Sequence, residues 1–382
     1  MLIGILDGQT VQAIDAAKQL KSLGYSVLLI CENKEGHGYF TKYAKKKIIA
    51  ATKTKNHSEY FTYLIKLIEK EKIDIILAMN DDSAEFISKY QEKLSSYVKF
   101  ETVGYHTFIK AYDKNELMSL CEKYNFAHPK TIDLSKEENQ NRLKKFVFPG
   151  LIKPNKTSGA RGFRIISNKE ELLNTLPIIQ KEYGHCHLQE FIPDGGEQYK
   201  VEIYIKYGEV INAFVIKKIR YYPIKGGSSC FIQGTENNEL IELCSNVLRK
   251  INWEGFADFD LIEDPRDKKI KIMEINPRVP ACIRIASVSG VNFFENIIDS
   301  IQKKPLNRYS GKSGITLRFL GLDLLWLIKS PQKNIINWVN GFFSKKAFLQ
   351  EGDLMDMMPV IAGNFYSIKK AFNKMSDKKG MN

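Results

Sequence analysis

The chain has 382 residues, of which 43% are hydrophobic and 26% are charged. This composition is typical of a folded globular protein and excludes a disordered chain, and the length predicts two or three domains because a single core rarely grows so large. The formal net charge is +13, but the basic residues are not interleaved with aromatic residues as in RNA-binding motifs, so we expect an anionic ligand or surface and no nucleic acid.

The first hundred residues alternate short apolar runs with segments of helical spacing. Strands are predicted at 2–6, 27–31, 47–50 and 73–79, and helices at 11–23 and 58–70. This order predicts a parallel sheet with right-handed crossovers. No GxGxxG follows the first strand, so we predict a Rossmann-like domain over residues 1–106 that binds no nucleotide. Asp81 and Asp82 follow the last strand, and both a helix N-cap and a substrate contact stay open for them.

A charged helix is followed by a strand that carries a lysine and by a loop that contains glycine. The helix is predicted over about Tyr112 to Tyr124, with Asp113 as the residue that starts it. The strand carries Lys153, stops at a proline and leads into a loop at 155–162 before a second strand resumes. Such a flap can close its backbone amides on phosphate groups above a fixed positive charge. A plain β-hairpin with a flexible tip is the alternative.

A second hairpin and a long loop are predicted in the middle of the chain. Strands at 199–205 and 210–218 turn at 207–208, and the alternation of Glu202 with apolar neighbours predicts a solvated strand face. The segment 220–229 predicts a long loop that contains Arg220, Lys225 and a Gly-Gly-Ser-Ser tip. Its composition suits an anionic small molecule.

The segment 256–278 predicts a β-hairpin with an acidic face. Its turn lies at 263–267, and period-two alternation brings the polar side chains of both strands together: Asp258, Asp260, Glu274 and Asn276. Carboxylates that close repel by roughly 4 kcal/mol per pair at about 4 Å and an effective dielectric near ~20, so a cation is expected between them. Oxygen ligands suit Mg²⁺, and Arg278 follows where it could face a phosphate. A solvated polar hairpin face is the alternative.

The last segment, residues 311–382, is called the tail here. It carries 11 basic and 5 acidic residues, and it contains LRFLGLDLLWLI at 317–328 and NWVNGFFSKKAF at 337–348. Leucine and aromatic faces beside lysines are typical of an interfacial helix. Packing against the protein's own body or against a second subunit is the alternative. The six cysteines form no CxxC pair, and neither a signal peptide nor a membrane-spanning run is found, so we expect a cytoplasmic protein.

These motifs, in this order, resemble the ATP-grasp superfamily. MEINPR at 273–278 looks like the terminal metal-binding motif of that superfamily, and it is closest to the versions in carbamoyl phosphate synthetase, biotin carboxylase and D-aspartate ligase-like enzymes. The resemblance implies that the metal ligands are Asp260, Glu274 and Asn276. It also implies that Arg278 is the arginine aimed at the transferred phosphoryl group.

The resemblance also assigns the nucleotide-binding residues. Lys114 follows Asp113 as at the entry to the small domain, which implies a phosphate contact. Lys153 and the loop with Ser158, Gly159 and Gly162 are similar to the phosphate loop, although Ala160-Arg161 replaces smaller residues. The adenine-binding segment and the ribose-binding carboxylate fall on Glu190, Phe191, Ile192 and Glu197. The loop with Arg220 corresponds to one near the acceptor substrate, so the implied catalytic residues are Lys153, Arg220 and Arg278.

The fold implied by the resemblance is α/β. A Rossmann-like pre-ATP-grasp domain at 1–106 precedes an ATP-grasp fold of two α+β subdomains, a lid at 107–187 and a metal-bearing subdomain at 188–310. The tail at 311–382 is a C-terminal extension outside the usual ATP-grasp core.

The implied function is that of an ATP-dependent carboxylate–amine ligase working through an acylphosphate. The cofactors would be ATP and one or two Mg²⁺ ions, with Mn²⁺ as a substitute, and the partners a small carboxylate and an amine. Two alternatives stay open: a bicarbonate-phosphorylating carboxylase or carbamoyl phosphate synthetase-like enzyme, and a nucleotide-binding module without turnover. A peripheral membrane contact through the tail and a homodimer also stay open.

Overall fold

The structure is a computed structural model that describes residues 1–50, 57–136, 139–157, 162–224, 227–330, 334–343 and 346–367. Its strands form three sheets that follow one another along the chain. Among the described residues, no helix is both long and apolar enough to cross a membrane.

The N-terminal sheet has four strands, which are parallel as predicted and lie in the order β3-β2-β1-β4. Its strands are β1 Leu2–Leu6, β2 Ser26–Cys31, β3 Lys46–Ile49 and β4 Ile75–Ala78. The helices of this part are α1 Gln12–Ser22, α2 His57–Glu71, α3 Asp81–Lys89, α4 Gln91–Leu94 and α5 Tyr105–Tyr112, with a 3₁₀ turn at His37–Phe40. Parallel strands place the loops after β1 and β4 at one edge of the sheet, where ligands commonly bind.

A second sheet of four antiparallel strands follows, in the order β5-β8-β6-β7. It is preceded by α6 Lys114–Tyr124, and Asp113 caps this helix by accepting hydrogen bonds from the backbone N–H groups of residues 115 and 116. The remaining elements are β5 Thr131–Asp133, α7 Gln140–Lys144, β6 Gly150–Pro154, β7 Arg164–Ile166, α8 Lys169–Tyr183 and β8 Cys186–Glu190.

The third sheet has seven strands in the order β13-β12-β9-β10-β11-β14-β15. Its strands are β9 Gln198–Lys206, β10 Glu209–Tyr222, β11 Ser228–Thr235, β12 Gly255–Glu263, β13 Ile270–Asn276, β14 Thr316–Arg318 and β15 Ala347–Leu349. The helices are α9 Asn238–Lys250, α10 Arg284–Ser289, α11 Phe293–Ile301, α12 Leu320–Lys329 and α13 Ile335–Asn340, with a last helix, α14, at 358–367.

The tail contributes two strands to this sheet, because β14 and β15 lengthen it at the β11 edge. The segment 220–229 is not a long loop, because β10 continues to Tyr222 and pairs with β11 from Ser228 onward. In both cases the backbone groups find partners on a neighbouring strand, which local composition does not reveal. The domain boundaries that we predict remain a proposal.

The N-terminal sheet and the seven-stranded sheet share one hydrophobic core. Ile5 and Leu77 of the first sheet belong to the same buried cluster as Phe256 of β12 and Phe294 of α11. This packing turns the loop after β4 towards the β12–β13 hairpin. The hairpin therefore lies where the N-terminal sheet, the second sheet and the third sheet can all supply side chains.

Candidate active site

The β12–β13 hairpin has the predicted turn and the predicted polar face. Asp258 lies directly opposite Asn276, and Asp260 lies directly opposite Glu274. Side chains of such cross-strand pairs lie on the same face of the sheet about 5 Å apart. The four polar side chains are therefore neighbours, as the alternation in the sequence predicted.

Lysines from the neighbouring strands lie between these carboxylates. Lys200 of β9 donates to Asp258 Oδ2 at 2.7 Å and to Asp260 Oδ2 at 3.0 Å. Lys218 of β10 lies 2.5 Å from Asp260 Oδ1. Burial alone would raise the pKa of Asp260, but the charges of Lys200 and Lys218 outweigh it and hold that pKa below its ordinary value. For Asp258 burial prevails and raises the pKa. The lysines thus offset the carboxylate repulsion in this state.

The placement of Glu202 corrects the prediction of a solvated strand face. The side chain is fully buried, opposite Asp258 in the adjacent strand, and Cys282 Sγ donates to it at 3.5 Å. Burial and the nearby Asp258 raise the pKa of Glu202 well above its ordinary value. Alternation identifies the face of a strand, but whether that face is covered depends on what packs on it.

Two lysines reach the hairpin from the second sheet and the helix before it. Lys114 Nζ donates to the carbonyl oxygen of Thr157 at 2.5 Å and lies 3.3 Å from Glu274 Oε2. Lys153 Nζ donates to Gln189 Oε1 at 2.6 Å. Burial lowers the pKa of Lys153 to about 8, and the charge of Lys114 acts in the same direction. A group of two cations that repel each other is suited to bind phosphate oxygens.

The predicted phosphate loop is only partly described. Ser158, Gly159 and Arg161 lie outside the described residues. Gly162 has φ +75°, and a Cβ atom there would lie 2.8 Å from both Pro154 Cγ and the ring of Tyr183. Only glycine fits this position, since the backbone angle and the close packing both exclude a side chain.

Arg278 joins the N-terminal sheet to the hairpin. Its Nε lies 3.0 Å from Asp81 Oδ1, and its Nη2 donates to Asn276 Oδ1 at 3.3 Å. Asp81 is the first residue of α3, so the ion pair with Arg278, rather than an N-cap bond, accounts for its buried carboxylate. The guanidinium group is therefore fixed beside the acidic face.

The predicted adenine-binding segment lies at the end of β8. Glu190 pairs with Arg266 at 2.6 Å and accepts a hydrogen bond from the backbone N–H of Lys130 at 3.1 Å, so its carboxylate is tied to the body of the protein. Ile192 is buried and Phe191 is half-buried. Glu197 accepts hydrogen bonds from Tyr199 and Lys217, and the bond from Lys217 lowers its pKa, so it is ionised.

The structure gives Arg220 a partner in the tail. Its guanidinium group binds Asp323 of α12 at 2.8 Å, and it stacks 4.2 Å from the ring centroid of Phe231 and 4.7 Å from that of Trp326. Its charge is thus already compensated by the tail. A catalytic role for Arg220 remains a prediction, and these contacts do not favour it.

The residues that are present fit a divalent cation in part. Among the described residues, no three His, Cys, Asp or Glu side chains converge as a ready cluster. Asp260, Glu274 and the amide of Asn276 nevertheless form an oxygen-donor set on adjacent strands, and buried Asp258 Oδ1 has no hydrogen-bond partner in this part of the chain. Oxygen donors of this kind suit Mg²⁺. The metal-ligand assignment stays a prediction.

Sequence reasoning missed Lys200, Lys218 and the partner of Asp81. A signal for the lysines was present, because buried strands rarely carry a lysine at an inward position without an acidic partner. Lys200 alternates in phase with Glu202, and both sit on the face that Asp258 shares. The Asp81–Arg278 contact left no local signal, because the two residues are far apart in the chain.

Comparisons with known proteins agree with this geometry. Residues 111–282 match the family model described as an ATP-grasp domain. D-aspartate ligase of Enterococcus faecium is 27% identical over 266 residues, which cover 62% of this chain and 61% of the ligase. The arginine-specific large chain of carbamoyl phosphate synthase from Bacillus subtilis is 20% identical over 324 residues, which cover 80% of this chain and 30% of that one. The chain thus spans less than two thirds of either relative.

Solved structures show the same fold. N5-carboxyaminoimidazole synthetase from Staphylococcus aureus, complexed with ADP, aligns with a TM-score of 0.66 and 17% identity over 89% of this chain and 86% of that one. Biotin carboxylase from Campylobacter jejuni aligns with a TM-score of 0.66 and 15% identity over 82% of this chain and 74% of that one. The chain therefore shares the fold of these enzymes, and its residues 111–282 match the ATP-grasp domain model.

Proposed function

We propose that the protein is an ATP-dependent carboxylate–amine ligase that releases ADP and phosphate. The observation that carries the proposal is the ion pair between Lys114 Nζ and Glu274 Oε2, which lie 3.3 Å apart beside Arg278. A cation from the start of α6, the helix before the second sheet, thereby contacts a carboxylate on the strand that bears the MEINPR motif. Such an arrangement can hold a nucleoside triphosphate between the second and third sheets.

ATP and Mg²⁺ are assigned to this site by the chemistry of its residues. Asp260, Glu274 and Asn276 would hold one or two Mg²⁺ ions, for which Mn²⁺ could substitute, and Lys114 and Lys153 would face the phosphates. The metal would draw charge from the phosphate oxygens during transfer. Glu190 and the backbone near Ile192 would hold adenine, and the ionised Glu197 would accept hydrogen bonds from the ribose hydroxyls.

The reaction takes place in two steps without a nucleophilic side chain. A carboxylate oxygen of the acid substrate attacks the γ-phosphorus of ATP, the bond to the β-phosphate breaks, and ADP leaves. The amine then attacks the acyl carbon of the acylphosphate, phosphate leaves, and the nitrogen loses a proton to give an amide. Arg278, fixed by Asp81, stabilises the charge on the moving phosphoryl group.

The substrates are a small carboxylate and an amine. D-aspartate ligase, by its name, acts on an amino acid, and this supports an amino acid or a similarly small polar acid as the substrate here. The match to carbamoyl phosphate synthase chains supports a second candidate, in which bicarbonate accepts the phosphoryl group.

Product analysis tests the proposal and separates the two candidates. The protein is mixed with ATP, Mg²⁺ and a panel of small acids, with hydroxylamine in place of the amine. We expect ADP, phosphate and a hydroxamate, and we expect Glu274→Gln to form none of them. Formation of AMP and pyrophosphate would refute the ligase mechanism. Release of ADP that depends on bicarbonate alone would favour the second candidate, and the absence of any turnover would favour a binding module.

A further inference from the structure

Most of the large hydrophobic side chains that the described chain exposes to solvent belong to the tail. Of 23 exposed large hydrophobic residues in the described chain, 14 lie between Leu324 and Phe365. They belong to α12, α13, α14 and the segments between them, and the most exposed include Ile328, Ile336, Phe343, Leu354, Ile361 and Phe365. Exposed apolar patches of this kind usually mark an interaction surface. These side chains are not covered by the protein's own body in the described chain.

The exposed apolar side chains are carried on a tail that is firmly attached to the body. Asp323 of α12 is fully buried between Arg220 at 2.8 Å and Arg318 at 3.2 Å. Arg318 also lies 3.9 Å from the ring centroid of Phe342. Glu351, also fully buried, accepts a hydrogen bond from the backbone N–H of Leu320 at 2.8 Å. The two arginines anchor α12 to strands β10 and β14, and Glu351 joins the segment after β15 to the start of α12.

The described acidic side chains of the tail are buried or ion-paired, whereas three of its described lysines are exposed. Asp323 and Glu351 are fully buried, Asp356 is 4% exposed and hydrogen-bonds to Thr41, and Asp353 pairs with Lys18. Together with Asp377, beyond the described residues, these are all five acidic residues of the tail. Three lysines of the described tail are exposed: Lys312, Lys329 and Lys346. The outward surface of the described tail thus combines apolar side chains with positive charge.

We propose that the tail docks the protein on an anionic lipid surface. Apolar side chains on short helices can enter the headgroup region, while lysines nearby attract anionic lipids. A second copy of the chain fits less well, because a two-fold contact brings the same patch of each copy together and would oppose like charges. The proposal concerns where the protein resides and is independent of the reaction that it catalyses.

Vesicle co-sedimentation of the full-length protein tests this. The vesicles contain equal parts of phosphatidylglycerol and phosphatidylcholine, or phosphatidylcholine alone, at low and high salt. The tail variant is Ile361→Glu with Phe365→Glu, at positions 61% and 62% exposed. The matched control is Leu173→Glu with Ile178→Glu on α8, at positions 57% and 70% exposed, which adds the same charge elsewhere.

We expect the wild-type protein and the α8 control to bind the anionic vesicles at low salt and to be released at high salt. The tail variant should bind at least about tenfold more weakly, because two apolar groups no longer enter the bilayer. The double variant Lys329→Ala with Lys346→Ala should also weaken binding at low salt. It serves as the test if the glutamate variant has a lower midpoint of thermal unfolding than the wild type. Failure of the wild type to bind at low salt, or equal loss in the α8 control, would overturn the proposal. A wild-type dimer that ignores vesicles and becomes monomeric in the tail variant would show that a second copy covers the patch instead.

Discussion

Replacing Lys153 by methionine tests whether the predicted phosphate-binding lysine is held at a cost to the fold. Burial lowers the pKa of Lys153 from 10.5 to about 8. Since one pKa unit corresponds to about 1.4 kcal/mol, the protonated side chain destabilises the folded protein by at most about 3 kcal/mol at neutral pH. Methionine removes this cost but loses the hydrogen bond to Gln189, which is worth about 1 kcal/mol. We therefore expect Lys153→Met to raise the free energy of unfolding by about 2 kcal/mol in the absence of nucleotide.

The pH dependence of this effect has a definite sign. The pKa of Lys153 is lower in the folded state than in the unfolded state. The destabilisation by Lys153 is therefore absent above the unfolded pKa of 10.5. It grows as the pH falls and is complete below the folded pKa of about 8. The advantage of the methionine variant should be largest at neutral pH and should shrink as the pH rises towards the unfolded value.

Thermal unfolding over a series of pH values measures both effects, and calorimetry measures the expected loss of ATP affinity. Lys169→Met is the control, because Lys169 is an exposed lysine at the start of α8 beside the same sheet. It should change the free energy of unfolding by no more than about 0.5 kcal/mol. A Lys153→Met protein that is less stable than the wild type at neutral pH, or more stable by an amount that does not vary with pH, would refute the reasoning.

Three further substitutions test other contacts. Glu274→Gln should abolish ADP formation, yet shift the free energy of unfolding by no more than about 1 kcal/mol, because the lost ion pair with Lys114 and the relieved carboxylate repulsion offset each other; full activity would remove Glu274 from the mechanism. Glu197→Ala should weaken ATP and adenosine alike by about 1–3 kcal/mol in calorimetry, because its proposed contact is to the ribose; a loss for ATP alone would place the carboxylate elsewhere. Asp323→Asn should lower the free energy of unfolding in chemical denaturation by about 3–5 kcal/mol, because two arginines lose their buried counter-charge; an effect below about 1 kcal/mol would show that the tail is attached by its apolar contacts.

Local patterns in the sequence determined much of the fold and part of the candidate site. The order of strands and helices in the first hundred residues predicted the parallel sheet, and Asp113 predicted the start of α6. The alternation in 256–278 placed Asp260 and Glu274 on one face of a hairpin. These predictions succeeded because a strand has a fixed period of two and a cap or a turn depends on residues that are close in the chain.

Tertiary structure decided what those patterns leave open. Glu202 is buried because β9 lies between β10 and β12 and its polar face is covered, which its own alternation does not record. Lys218 reaches Asp260 across β9, and Asp81, at the start of α3, reaches Arg278 just beyond the end of β13. Arg220 turned out to bind the tail because β14 adds to the edge of the same sheet and brings α12 over it. Contacts between residues far apart in the chain depend on strand order and packing, and these are properties of the whole chain rather than of any one segment.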